Sequence, residues 1–190
     1  RTIQERLSLP IEKPFVFDPD AWCFGRGEVC FNNYDIYKKI IVFTMGTGIG
    51  SCFIENKKIV AEGTGVPWFG WIAGQKYKEG ILNDYTSSIF MKNKYFKIAK
   101  ENIDIKKMAE RARNNDHTAK LIFSEMGSTL GMFLKKNFIE DFKAECIVFG
   151  GQISLSSDLF IREIQEKLKN CINLKKIVQA QDIQFAALKG

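Results

Sequence analysis

The residues of this chain best suited to chemistry are a glycine run, an aspartate and a second glycine pair. The run is Gly46-Thr47-Gly48-Ile49-Gly50. Glycines let a backbone reach positive φ and let N–H groups approach an oxyanion with no Cβ in the way. The Thr47 hydroxyl adds a neutral donor to the same turn. Such a turn suits a phosphate group; read alone, it serves equally as a structural hairpin. Asp20 follows Pro19. A carboxylate facing a phosphate cradle can take the proton from a hydroxyl that attacks a γ-phosphoryl group. At the start of a helix the same residue is a favoured N-cap. Gly150-Gly151 closes an apolar run and precedes a helical pattern, which lets a flat base lie against the backbone near a helix N-terminus.

These groups need elements to hold them. The β-branched run 39–45 predicts a strand ending at the glycines. Cys52-Phe53-Ile54 then resumes at once and is too short for the helix that would mark a Rossmann turn or a P-loop. Glu55-Asn56-Lys57-Lys58 reads as a turn and 59–61 as a third strand, which makes a β-meander. Residues 13–17 predict a strand that delivers Asp20 at its C-terminal end, and 21–31 predict a helix whose Gly25 and Gly27 allow close packing. The Gly- and Trp-rich stretch 62–74 reads as an irregular loop, either a packed corner or a cleft wall. Apolar periodicity predicts helices over 82–91, 103–113, 117–136 and 157–170, with strands over 145–149 and 173–178. The end of one helix is expected over 2–9 and the start of another over 182–188. Gly127, Ser128 and Gly131 mark the 117–136 helix as a close-packing one.

Composition bounds the rest. The chain has 190 residues, 45% of them apolar, enough for one folded core. No apolar run reaches the length of a membrane span. The five cysteines form no C-x-x-C or C-x-C pair, so neither a zinc knuckle nor a redox dithiol is supported, and free thiols predict a cytoplasmic setting. The net charge of +6 comes mostly from lysine doublets spread along the chain. That distribution suits a solvated surface and not a nucleic-acid interface, although a positive field helps to attract a nucleotide. His117, the single histidine, stands among polar residues ahead of a helix and reads as solvated.

In order and spacing the pieces resemble the large lobe of the ROK family, the sugar kinases and related repressors of the actin-like ATPase superfamily. The family's P-V-x-V-E-N-D-A-N-A-A-A-L-G-E falls on residues 14–28, its G-T-G-I-G-G-G-I on 46–53, its I-V-L-G-G-G-I on 147–153 and its A-A-L-x-G-A on 186–190. The resemblance implies an α/β lobe of the actin-like, ribonuclease H-like type, a mixed sheet with helices on both faces. It implies phosphoryl transfer from ATP, with Mg²⁺, to a sugar hydroxyl, or else sugar sensing by a repressor or a non-catalytic ROK-like protein. It makes Asp20 the catalytic base, Gly46, Thr47, Gly48 and Gly50 a phosphate loop, and Gly150 and Gly151 the adenosine contact. The implied partners are a sugar and a nucleotide, with no membrane, no nucleic acid through this lobe, and a homodimer allowed.

The departures are as informative. Pro19 replaces the family's Asn before the catalytic Asp, and the family's sugar-binding G-E-I-G-H falls on Trp68-Phe69-Gly70-Trp71. Its Leu-Glu falls on Leu82-Asn83. Trp68, Trp71 and Asn83 are therefore the substrate-side candidates, the two indoles either stacking on a sugar or filling space. The family's cysteine-rich zinc loop should lie at 74–80, which holds no cysteine, so no structural zinc is expected. Residues 1–190 read as a single C-terminal lobe, with the family's smaller N-terminal lobe and its D-x-G-G-T loop absent from the chain.

Overall fold

The computed structural model describes residues 17–32, 34 and 36–180. Its centre is a five-stranded mixed sheet in the order Lys58–Ile59, Ile49–Glu55, Lys39–Met45, Cys146–Gly150, Lys176–Gln179. Strands β1 (Lys39–Met45), β2 (Ile49–Glu55) and β3 (Lys58–Ile59) form the antiparallel meander, turned between β2 and β3 by Asn56 and Lys57, both at positive φ. Strands β6 (Cys146–Gly150) and β7 (Lys176–Gln179) add in parallel beside β1. The third strand covers Lys58–Ile59 and not 59–61: the Val60 amide still donates to the Phe53 carbonyl at 2.8 Å, but the Ala61 carbonyl accepts from Gly70 of the Trp-rich loop at 3.1 Å. The strand expected over 13–17 lies outside the described residues apart from Phe17, and the helical segments 2–9 and 182–188 lie wholly outside them.

Both faces of the sheet are covered, and the alternation of β1 shows how. Ile40 and Val42 join Val29, Cys52 and Ile54 under helix α1 (Asp20–Phe31). Ile41, Phe43 and Met45 point the other way into the larger core with Phe53, Phe149 and Leu130. Burying one such side chain contributes about 2 kcal/mol. Helix α1 comes very close to the sheet. A Cβ on Gly25 would lie 2.8 Å from the Cys52 sulfur, so a side chain there would push the helix away.

The opposite layer holds α2 (Asn83–Thr86), α3 (Ser88–Ala99), α4 (Ile105–Arg113) and α5 (His117–Leu134). Asp116 caps α5 by accepting from the Ala119 amide at 3.0 Å, and His117 is exposed in the first turn. The helix does not run on to residue 136 in α form. It passes into a π-helical turn, Lys135–Ile139, and a last short turn α6 (Glu140–Phe142). Asn137 Nδ2 donates to the Phe133 carbonyl at 2.7 Å, and a side chain competing for that carbonyl widens the turn.

A second difference follows β6. The helix expected over 157–170 is a 3₁₀ segment, Gln152–Leu159, then a break at Phe160, then α7 (Ile161–Leu168). Phe160 is fully buried, and its carbonyl lies 2.6 Å from where a Cβ on Gly127 would be. On the next turn a Gly131 Cβ would meet the Lys167 Cβ at 2.9 Å. The small residues of α5 thus seat α7 directly on its backbone, and the chain breaks to make the fit.

Candidate functional site

A cleft of about 780 Å³ opens at the C-terminal ends of β1 and β6, beside the first turn of α1. Ligands of open α/β sheets sit at this end of the strands. Asp20, Gly46, Thr47, Gly48, Gly50, Trp68, Trp71, Asn83 and Gly151 all line it. Nine of the ten sequence-derived candidates, separated by up to 131 positions, are therefore in one place.

Asp20 is the first residue of α1. Pro19 occupies the cap position, and its carbonyl accepts from the Trp22 amide at 2.9 Å, so Asp20 is not the N-cap. Its carboxylate is solvent-exposed and accepts from the Ala21 amide at 2.8 Å, next to the partial positive charge of the helix start. The turn is seated on β2 through Ala21: a Cβ on Gly50 would lie 3.0 Å from the Ala21 Cβ and 2.3 Å from Thr44 Oγ1. Gly50 is thus needed for contact, which brings Asp20 to the mouth of the glycine turn.

The turn itself differs from expectation in one respect. Among the described residues the positive-φ glycines are Gly63, Gly65, Gly70 and Gly151; the turn 46–50 contributes none. Its glycines provide space and not a left-handed bend. A Cβ on Gly46 would meet nothing within 4 Å, and one on Gly48 would meet Asn83 Oδ1 at 3.0 Å. The Gly46 amide donates to the Gly48 carbonyl at 2.9 Å, and the Gly46 carbonyl accepts from the Ser88 amide at 3.0 Å. Asn83 Oδ1 accepts from the Ile49 amide at 3.1 Å. Asn83 therefore anchors the turn to the start of α2, a task its sequence position did not signal.

The second glycine pair divides. Gly151 lines the cleft at φ +85°, and a Cβ there would sit 2.5 Å from the Met45 carbonyl oxygen. Gly150 is not brought to the cleft. A Cβ on it would lie 2.2 Å from Cζ of Phe24, so its bare Cα is where that ring packs.

The other wall is aromatic. Trp22 of α1 stacks on Phe69 at 4.8 Å between ring centroids and 17° between planes, and Trp68 leans on Phe69 at 5.3 Å. Trp68 is 72% exposed, Trp71 50% and Phe69 44%. Trp71 lays its ring across Gly74, where a Cβ would clash at 2.5 Å. Phe69 adopts φ 58°, a left-handed conformation unusual for a bulky side chain. Ser51 holds this loop to the sheet: its hydroxyl donates to the Gly70 carbonyl at 2.5 Å and accepts from the Ile72 amide at 3.1 Å. Sequence reasoning missed Trp22, Phe69 and Ser51. Ser51 stood in plain view, as the polar residue where the resembled motif has glycine.

Electrostatics sort the remaining groups. Burial pushes the Cys52 thiol up to about 12, so it is a packing residue and not a nucleophile, although it follows the glycine turn closely. Glu28, on the far end of α1, is fully buried with one oxygen lacking a partner and the other accepting from Asn32 at 3.0 Å. Burial raises its carboxyl above the usual range. Among the described residues no group of three or more His, Cys, Asp or Glu could hold a metal ion. Residues 76–81 form a small hairpin of β4 (Lys76–Tyr77) and β5 (Gly80–Ile81).

An antiparallel meander with two parallel strands beside its first strand, covered by helices on both faces, is the actin-like ATPase arrangement. The model of the ROK family matches residues 2–190, and the chain belongs to that family. Solved structures agree on the fold. The ROK hexokinase from Thermus thermophilus superposes with a TM-score of 0.79 at 14% identity, over 98% of this chain and 65% of that one. A ROK family glucokinase from Streptomyces griseus, in complex with glucose and AMPPNP, gives 0.73 at 20% identity, over 98% and 68%. A ROK family transcriptional regulator, a homolog of the E. coli MLC protein, gives 0.77 at 18% identity, over 98% and 53%. The chain thus spans about two-thirds or less of the length of most such structures. A comparison with curated protein sequences finds no match.

Proposed function

We propose that this lobe belongs to a sugar kinase that transfers the terminal phosphoryl group of ATP to a sugar hydroxyl. The observation that carries the reading is the placement of Asp20 across one cleft from the glycine turn 46–50. Asp20 is the acidic residue lining that cleft, and it is exposed to whatever enters. In this reading its carboxylate accepts the proton of the attacking hydroxyl and orients that oxygen toward the phosphorus. The open space at Gly46 fits a phosphate, with backbone N–H groups and Thr47 positioning its oxygens. Gly151 packs its bare Cα on the Met45 backbone, and this close approach sets its own backbone at the cleft edge for the adenosine portion. The aromatic wall keeps water from competing with the sugar. Mg²⁺ would enter with the nucleotide and neutralise charge on its phosphates.

The fold likeness to a glucokinase solved with glucose and AMPPNP supports this reading, as does the likeness to a hexokinase. A sugar-sensing regulator is the second reading. It is favoured by the scarcity of polar side chains on the acceptor wall and by the fold likeness to a ROK transcriptional regulator. The test is ADP release by the full-length protein with ATP, Mg²⁺ and a panel of hexoses and amino sugars. Turnover with one of them supports the kinase. Absence of turnover with every sugar, beside saturable sugar binding, selects the regulator.

A further inference from the structure

Gln152 lines the cleft from the segment after β6, next to Gly151, and is exposed. The resembled motif has its third glycine at this position, so a carboxamide arm stands where a bare Cα is expected. Among the described residues that carboxamide has no hydrogen-bond partner. Other polar groups of the cleft belong to other parts of it. Asp20 stands at the start of α1, while Thr47 and Asn83 belong to the glycine turn.

The backbone that carries Gln152 is fixed. Ser154, fully buried, donates to the Gly151 carbonyl from its amide at 3.1 Å and from its hydroxyl at 2.7 Å. The peptide joining Gly151 to Gln152 is planar, so the Gln152 N–H faces away from that serine. Gly151 is itself seated on the Met45 backbone. The Gln152 side chain thus leaves from a rigid stem at the cleft edge. A carboxamide offers a donor and an acceptor side by side in one plane. Adenine shows the complementary pair, its 6-amino group beside a ring nitrogen, and an amide side chain can bind both at once.

Resting on the kinase reading of this cleft, we propose that Gln152 reads the base of the phosphoryl donor and selects adenine. The base lies along Gly151, with its amino group and the adjacent ring nitrogen held by the Gln152 carboxamide. Selectivity for the nucleotide then comes from a side chain that a glycine at this position could not supply.

Calorimetric titration of the full-length protein with ATP, purine riboside triphosphate and GTP, each with Mg²⁺, tests this in wild type, Gln152→Met and Gln152→Gly. Purine riboside triphosphate differs from ATP only in lacking the 6-amino group. Wild type should bind ATP about three- to ten-fold more tightly than this analogue, the range of one hydrogen bond, and should also prefer ATP to GTP. Both variants should bind ATP no better than the analogue. Gln152→Met keeps the length of the side chain, so a lost preference there traces to the carboxamide and not to space. Gln152 is exposed, and an unchanged Tm without nucleotide is expected for both variants. The proposal is overturned if wild type binds ATP and the analogue equally, if it binds GTP as tightly as ATP, or if the preference survives in either variant. Sugar phosphate formed equally well from ATP and GTP would leave the kinase reading standing and remove this role from Gln152. A Gln152-dependent preference for ATP without any transfer would sink the kinase reading and keep the base contact.

Discussion

Asn83 reaches back 34 positions to accept the amide of Ile49 at 3.1 Å, and this bond pins the exit of the glycine turn to the start of α2. The same oxygen lies 3.0 Å from where a Cβ on Gly48 would be, so turn and anchor are in contact. Asn83→Ala should loosen the turn without opening the core. We expect the KM for ATP to rise about three- to ten-fold, in line with loss of one hydrogen bond, with little change in Tm. Asn83→Asp keeps an acceptor but adds a negative charge beside the phosphates, and should weaken nucleotide binding further. Calorimetric titration of ATP against both variants decides; equal affinities to wild type in both would remove Asn83 from the account.

Ser51 has the corresponding role for the aromatic wall. Ser51→Ala strands the buried Gly70 carbonyl and Ile72 amide together. The expected loss is about 1–3 kcal/mol, measured by urea unfolding, with a change in tryptophan emission from the Trp68–Trp71 loop before global unfolding. Loss of stability with no separate tryptophan transition would mean that the loop is not held by this residue.

Two glycines of the cleft should respond in opposite ways. A methyl at Gly46 enters open space, so Gly46→Ala should fold with a near-native Tm and lose nucleotide affinity. A methyl at Gly151 meets the Met45 backbone at a positive φ, so Gly151→Ala should lower Tm whether or not nucleotide is present. Thermal melts with and without ATP separate the two, and a Gly46→Ala variant with unchanged ATP stabilisation would argue against a phosphate at that position.

Much of this arrangement was legible in the sequence, and the reasons are physical. Glycines at 46–50 between two apolar runs too short for helices leave a hairpin as the ready solution, and the meander followed. Asp20, the turn and Gly151 converge because strand ends and a helix start share one edge. The anchors were not legible. Asn83 and Ser51 act through backbone groups far away in sequence, which no local pattern encodes. The break at Phe160 was hidden for a similar reason, since it is imposed by Gly127 and Gly131 on another helix. The π-helical turn depends on a single side chain, Asn137, that periodicity reads as an ordinary polar position. Local spacing also placed Gly150 with Gly151, whereas Phe24 claims the space above Gly150.

Glu28 gives a pH signature independent of the cleft. Its carboxyl is raised above the usual value by burial, so the folded state binds its proton more tightly than the unfolded chain does. The stability that this proton provides is fully present below the ordinary carboxylate range. It is lost as pH climbs through the raised value. Glu28→Gln removes this dependence. Relative to the variant, wild type should therefore lose stability between acidic and neutral pH, and the variant should be at least as stable at neutral pH. Urea midpoints of the pair across that range check it; parallel curves would show that Glu28 is not protonated in the fold.

The central claim is that Asp20 moves a proton while the glycine turn holds the phosphates. Transfer of labelled phosphate from γ-labelled ATP to the active sugar, followed in a single turnover by the full-length protein and by Asp20→Asn, tests it most directly. The account predicts labelled sugar phosphate from wild type and a rate lower by about 10²- to 10⁴-fold in the variant, with ATP affinity unchanged. Equal transfer rates in the two proteins, or label passing only to water, would contradict it.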